Sequence, residues 1–222
     1  TDALSTWVGL RHSRIERDSI RTNGSRATSY QQSFTTPWLA LAWQFRPDYT
    51  VYASTGHGIE SEVAPGRNRY TNAGEPLAPL KSKQWELGVK TASASGSASA
   101  TVFGITRPRA GDAGACDVAG SCTRRADGDD RHTGLEVTTQ RRLGAFSVDG
   151  SIMWLSAQRR GSSISPELNG QRPTNVPARV ARVGLTYAVA GVPGLSLQSM
   201  VSHEGRRNVL PDASVKLPSW TR

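Results

Sequence analysis

The chain has 222 residues, a formal net charge of +9 and 20% charged residues, which is long enough for one or two domains with a core. No stretch approaches the ~18 to 20 consecutive apolar residues of a membrane-spanning helix, which excludes a helical membrane protein. A membrane barrel stays open, because a barrel strand shows lipid only its alternate residues and keeps mean hydropathy low, here −0.45. Only Lys81, Lys83, Lys90 and Lys216 of the 27 basic residues are lysines, so the positive balance is carried by arginine, whose planar fork suits phosphate and carboxylate partners.

In chain order, Thr6 to His12 places Val8 and Leu10 on one face, and a polar loop is expected from Ser13 to Ser33. Pro37 opens a second strand, in which Leu39, Leu41, Trp43 and Phe45 alternate with Trp38, Ala40, Ala42 and Gln44. Arg46-Pro47-Asp48 is a turn, Tyr49 to Thr55 returns, and a second long loop spans His57 to Leu80. Lys81 to Arg107 reads as a hairpin. Its first arm sets Trp85, Leu87 and Val89 against Glu86, Gly88 and Lys90, and Ala92-Ser93-Ala94-Ser95-Gly96 is its tight turn. In its second arm Ala98, Ala100 and Val102 compete with Thr101, Phe103 and Ile105 for the apolar face, and bulk favours the set with Phe103 and Ile105.

A third long loop is expected from Pro108 to Asp130. Cys116 and Cys122 lie in it, and two cysteines so close read either as a disulfide, implying an oxidising compartment, or as two free thiols. His132 to Gln140 and Phe146 to Ser156 are strands around a turn at Arg141 to Ala145, followed by a loop from Ala157 to Pro177. Val180 to Val189 and Leu195 to His203 are strands around a turn at Ala190 to Gly194; after a loop from Glu204 to Lys216, Leu217 begins another. The expected fold is therefore all-β, an antiparallel up-and-down meander of about nine or ten strands of roughly 9 to 11 residues. Short turns and long polar loops alternate along it, as in an outer-membrane barrel; a soluble sandwich has shorter strands and no reason to gather its long loops at one end. Trp43, Phe45, Tyr49, Trp154 and Tyr187 fit aromatic girdles.

Catalysis finds no support: no nucleophile elbow, zinc-protease helix, phosphate loop or dinucleotide fingerprint is present. His12, His57, His132 and His203 are scattered, and no metal site is expected among them. Asp127-Gly128-Asp129-Asp130 lacks the spacing and closing glutamate of a calcium loop and reads as a turn. Basic residues are dispersed over loops rather than gathered on one face with stacking aromatics, so nucleic acid is not an expected partner.

Several segments resemble TonB-dependent outer-membrane receptors. Leu77 to Lys90, LAPLKSKQWELGVK, is similar to the family's L-x-P-E-x-S-x-x-Y-E-x-G-x-K, with Pro79, Ser82, Glu86, Gly88 and Lys90 in place but Leu80 and Trp85 departing from it. Arg131, Gly134 and Glu136 match R-x-x-G-x-E; Val51-Tyr52-Ala53-Ser54, Asn175-Val176-Pro177 and Leu217-Pro218-Ser219-Trp220-Thr221 resemble further strand-start motifs in the family's order. The resemblance implies a later part of a 22-stranded barrel, residues 1–222 being barrel without the plug or the final strands. It implies a monomeric receptor of the Gram-negative outer membrane, surrounded by lipid and lipopolysaccharide and coupled to TonB through the plug. The loops look most like those of ferric-siderophore receptors, with no cofactor and an iron–siderophore complex as cargo. Arg67, Arg69, Tyr70, Arg124, Arg125, Arg159 and Arg160 are then candidates to contact an anionic ferric chelate, and Glu86, Lys90, Glu136, Asp149 and Arg182 are expected to line the lumen. The alternatives are a passive porin or autotransporter barrel, and a secreted β-rich carbohydrate-binding protein.

Overall fold

The computed structural model describes residues 3–20, 22–24 and 26–222. Nine long strands follow one another: β1 (Leu4–Ile20), β2 (Arg26–Arg46), β3 (Tyr49–Glu60), β4 (Leu80–Ser93), β5 (Gly96–Gly114), β6 (Cys122–Leu143), β7 (Phe146–Arg160), β8 (Arg179–Ala188) and β9 (Ser196–Glu204). Two short strands, β10 (Arg207–Asn208) and β11 (Lys216–Leu217), pair with each other in the loop that follows, and β12 (Trp220–Thr221) pairs with β9. The large sheet thus has ten strands in the order β1-β2-β3-β4-β5-β6-β7-β8-β9-β12, each antiparallel to the next. This is the expected all-β meander.

The register divides every strand into two faces. Trp85, Leu87 and Val89 of β4 lie opposite Thr55, Ala53 and Val51 of β3, and the same face continues through Leu39, Leu41 and Trp43 of β2. In the other direction it runs through Val102, Leu135, Trp154, Ile152, Leu185, Val183 and Val201. Apart from the half-buried Val51, these side chains are exposed; Leu87, for example, keeps 53% of its surface open. A contiguous apolar face of this extent needs a bilayer as its solvent. On β7 the outward band runs from Phe146 to Trp154, nine residues. That is roughly 30 Å of strand at ~3.3 Å per residue, or ~23 Å along the membrane normal at a tilt of ~40°, close to the ~25 Å apolar band of an outer-membrane barrel. Trp43, Phe45 and Tyr49 form a chain of ring contacts at 5.7 and 5.9 Å, and Phe146 stacks on Tyr187 at 4.8 Å. Both clusters mark the turn end of the band, whereas Trp154 sits toward the loop end.

Register settles the second arm of the hairpin against the expectation. Val102 faces outward beside Leu87 and Leu135, whereas Phe103 pairs with Glu86 and Gly134 on the inner face, together with Thr101 and Ile105. Phe103 is inside because Gly134 opposite it leaves room for a ring: a Cβ on Gly134 would come within 2.4 Å of Phe103 Cζ. Gly88 is used in the same way, its missing Cβ leaving space for the ring of Tyr52. An aromatic side chain laid over a cross-strand glycine restores packing that the glycine alone would forfeit.

The strands also run past the band. Ser13 to Ser33, expected as a loop, forms the upper half of the β1–β2 hairpin, with Arg21 and Ser25 near its tip outside the described residues. Pro108 to Asp130 likewise belongs to β5 and β6, and only residues 115–121 are loop. Strand lengths reach 21 residues in β2 and 22 in β6, twice the expected span. Pro37 lies within β2 rather than opening it; it is tolerated because the β2–β3 ladder starts at Trp38, so proline's missing donor is not needed there. Asp127 and Gly128 are not a turn but a bulge within β6, where Pro108 pairs with Asp129 and Ala110 with Ala126. The loop expected from Ala157 begins only after Arg160 and contains a single 3-10 turn, Pro166–Leu168.

Candidate functional site

At the loop end, residues 61–79 lie against the β5–β6 hairpin rather than projecting into solvent. Their backbone is laced to it: Gly120 N–H donates to Asn68 O (2.9 Å), Cys122 N–H to Arg69 O (2.9 Å) and Thr71 N–H to Cys122 O (2.7 Å). Asn72 Nδ2 donates to Arg124 O (2.8 Å) and its Oδ1 accepts from Arg124 N–H (3.1 Å), so one side chain completes two backbone groups of β6. Cys116 and Cys122 are joined in a disulfide that closes the hairpin tip beneath this seam.

Side chains reinforce the seam. Tyr70 is buried, with 5% of its surface exposed, and its hydroxyl donates to Asp112 Oδ2 (2.9 Å) while accepting from Arg69 Nη2 (3.1 Å). Arg124 bridges the two elements, Nε to Glu62 Oε1 at 2.7 Å and Nη1 to Asp112 Oδ1 at 2.8 Å. Burial alone would raise the Asp112 pKa, but the hydrogen bonds from Arg124 and Tyr70 outweigh it and hold the carboxyl below the usual carboxylate range. Burial works against the Arg124 cation, yet its bonds to Asp112 and Glu62 keep it firmly charged. A second lock ties residues 162–164 to the bulge: Asp127 accepts from the Ser162 hydroxyl, from Ser163 N–H (2.8 Å) and Oγ (3.1 Å), and from Ile164 N–H (3.2 Å). These bonds lower the Asp127 pKa despite the opposing effect of burial.

Between the two locks lies a cavity of about 260 Å³ whose lining includes Arg109, Asp112, Asp127, Arg159 and Ser162. Arg109 Nη1 donates to Asp130 Oδ2 at 2.9 Å, and Arg159 Nε stands 3.8 Å from Asp130 Oδ1, an ion-pair distance too long for a hydrogen bond. Arg159 and Asp130 are 7% and 5% exposed. Burial and the neighbouring Arg109 cation push the Arg159 pKa down.

The seven candidate ligand residues therefore fall into four groups. Arg69, Tyr70 and Arg124 are committed to the seam, and Arg159 is buried beside Asp130. Arg160 is exposed on the opposite face from Arg159, 3.1 Å from Gln158 Oε1. Arg67 and Arg125 are exposed and make no side-chain hydrogen bond or ion pair among the described residues. The sequence reading missed Glu62, Arg109, Asp112, Asp127 and Asp130. A signal did exist for one pair: Asp112 and Arg124 are equidistant from Val118, as partners across a hairpin must be.

Glu86, Lys90, Glu136, Asp149 and Arg182 all lie on the inner face by register, opposite Ser54, Thr50, Met153, Gly184 and Ser151 respectively. Lys90 Nζ sits 4.3 Å over the Tyr52 ring, and Tyr52 Oη is 2.7 Å from Thr101 Oγ1. This polar wall backs the apolar outer face across the thickness of a single sheet, the arrangement of a barrel with a wet interior.

The family model for TonB dependent receptor-like β-barrels matches residues 1–222. The chain belongs to the TonB-dependent receptor family. This is a family of transport receptors rather than enzymes, resident in the outer membrane of Gram-negative bacteria. Its fold is similar to that of BauA, the ferric preacinetobactin receptor of Acinetobacter baumannii, with a TM-score of 0.80 and 24% identity over 99% of this chain and 32% of that one. It is also similar to the siderophore receptor PiuA of Acinetobacter baumannii (TM-score 0.77, 16% identity, 100% of this chain and 34% of that one). The ferric yersiniabactin uptake receptor FyuA of Yersinia pestis gives 0.73 and 18%, over 100% and 34% of the two chains. The chain thus spans about a third of the length of these receptors. No curated protein matches it by sequence. Within the family frame the resembling motifs acquire contacts: Tyr52 of the Y-A-S segment covers Gly88 of E-x-G-x-K, and Gly134 of R-x-x-G-x-E makes room for Phe103.

Proposed function

We propose that the chain is part of the barrel wall of a receptor that binds ferric siderophores at its extracellular end and imports them with energy transmitted by TonB. The iron complex is cargo, and no resident cofactor takes part. The observation that carries this reading is the family match along the whole chain, joined to a loop end built as a rigid platform above a polar inner wall. In this reading Arg67 and Arg125, exposed at the platform, are the side chains free to meet an anionic chelate, and Arg159 presents a buried positive charge toward the lumen. Arg69, Tyr70 and Arg124 hold the platform rather than the ligand. Glu86, Lys90, Glu136, Asp149 and Arg182 face the plug, through which TonB acts, and the full receptor works as a monomeric barrel.

The test is iron-limited growth and radiolabelled-iron uptake in a strain that carries the full-length receptor as its sole importer, challenged with a panel of purified ferric siderophores. Uptake of at least one, abolished by loss of TonB, is the expected result. Passage of small solutes without TonB would identify a porin and overturn the proposal.

A further inference from the structure

We infer that the fork between β2 and β3 at the loop end is an edge-docking site for an extended acidic segment of a partner protein. The inference rests on strand pairing and not on the identity of the cargo. The β2–β3 ladder ends where Trp38 meets Gly56, just above Leu39 and Thr55, the last outward pair of that ladder. Neither strand stops there: β2 runs on along β1 as far as Arg26, and β3 runs on along β4 to Glu60. Residues 33–37 of β2 and 57–60 of β3 therefore have a paired neighbour on one side only. Their free edges border one cavity of about 490 Å³. Pro37, which has no N–H to donate, stands at the fork. Among the described residues no loop or side chain bonds the backbone of residues 57–60.

A free edge of this kind is a template for strand addition. Residues 57–60 span ~13 Å at ~3.3 Å per residue, room for a four-residue strand, and have no lysine, proline or bulge among them to blunt pairing. An added strand meets donors and acceptors in register, and the side chains around the edge then select its sequence. Here those side chains are basic and apolar. Arg11, His12, Phe34, His57 and Ile59 are among the lining residues, and no described carboxylate is. Arg11 is exposed, and its side chain makes no hydrogen bond or ion pair among the described residues. Two carboxylates on the same strands are already engaged: Glu16 by Arg14 at 3.0 Å, and Glu60 by Arg107 Nε and Nη2, both at 2.6 Å. The surplus cation favours a strand with acidic side chains, and Phe34 and Ile59 favour apolar ones between them. A second copy of this chain, itself +9, would bring like charge to the contact.

The experiment uses the full-length receptor in phosphatidylcholine nanodiscs and three short probe peptides. One alternates aspartate with valine, one alternates lysine with valine, and the third is the acidic peptide N-methylated at its valines. Fluorescence anisotropy reads binding, and hydrogen exchange followed by mass spectrometry locates it. The acidic peptide is expected to bind at least tenfold more tightly than either of the others. It should also slow the fastest-exchanging amides of residues 57–60 at least tenfold, with β7 peptides unchanged. An R11E/H57E variant, confirmed as folded by heat-modifiable migration, is expected to prefer the lysine peptide. Equal binding of the acidic and lysine peptides, undiminished binding of the N-methylated one, or unchanged exchange at 57–60 would overturn the inference. So would protection of 57–60 in the receptor alone that rises with its concentration, which would assign the edge to a second copy.

Discussion

Replacing Arg124 by Gln tests whether the loop platform is held as described. Arg124 makes two charge-assisted hydrogen bonds, to Glu62 and Asp112, and its side chain retains 23% exposure against 32% and 31% for its partners. A hydrogen bond to a charged group contributes ~1.5 to 3 kcal/mol when buried, and partial exposure reduces each of these to about 1 kcal/mol. Asp112 keeps its bond from Tyr70, but Glu62 has no other side-chain partner in the seam. The substitution should therefore ease local opening of residues 61–79 by about 2 to 3 kcal/mol, an increase of about 30- to 150-fold in amide exchange at ~1.4 kcal/mol per tenfold. The amides to watch are Thr71 and Leu77, bonded to Cys122 O and Glu62 O. Hydrogen exchange followed by mass spectrometry on the full-length receptor in detergent measures this directly, with peptides from β4 and β7 as internal references. Unchanged exchange in 61–79 would refute the assignment of Arg124 to the platform and return it to the pool of ligand-contacting residues.

The same seam should respond to acid. Because the folded Asp112 pKa lies below its unfolded value, its contribution is fully present above about pH 4 and is lost as pH falls through the folded value; protection of 61–79, corrected for intrinsic exchange, should hold from pH 7 to about 5 and decline only below about 4. Val102→Arg places a charge in lipid and should cost ~2 to 4 kcal/mol in folding into vesicles, whereas Phe103→Arg on the inner face should cost clearly less; the reverse order would mean that the register is shifted by one residue. Gly134→Val must displace the Phe103 ring and also meets the Trp154 carbonyl oxygen, 2.9 Å from the added Cβ. A loss of ~1 to 3 kcal/mol in the same folding assay is expected, and a Phe103→Ala background should recover part of it.

The alternation within the bilayer was legible in the residues because lipid on one side and water on the other impose a period of two. That is why Trp85, Leu87 and Val89 separate so cleanly from Glu86 and Lys90. Above the membrane the same strands continue with water on both sides, the period vanishes, and Ser13 to Ser33 and Pro108 to Asp130 look like loops although their backbone ladders run on. The platform residues were partly visible as types and invisible as partners: Tyr70 and Arg124 stand out as an aromatic and a cation, but nothing local places Tyr70 against Asp112, 42 positions away.

The sequence by itself determined the class of structure, the outward face of most strands and the family, since each depends on local periodicity or on short motifs. Tertiary structure alone decided how far the strands reach, which arginines are spent on holding the loops, and which way Phe103 points. Those depend on cross-strand register, and in β5 two apolar sets of similar strength left it open until Gly134 on the neighbouring strand supplied the space for a ring.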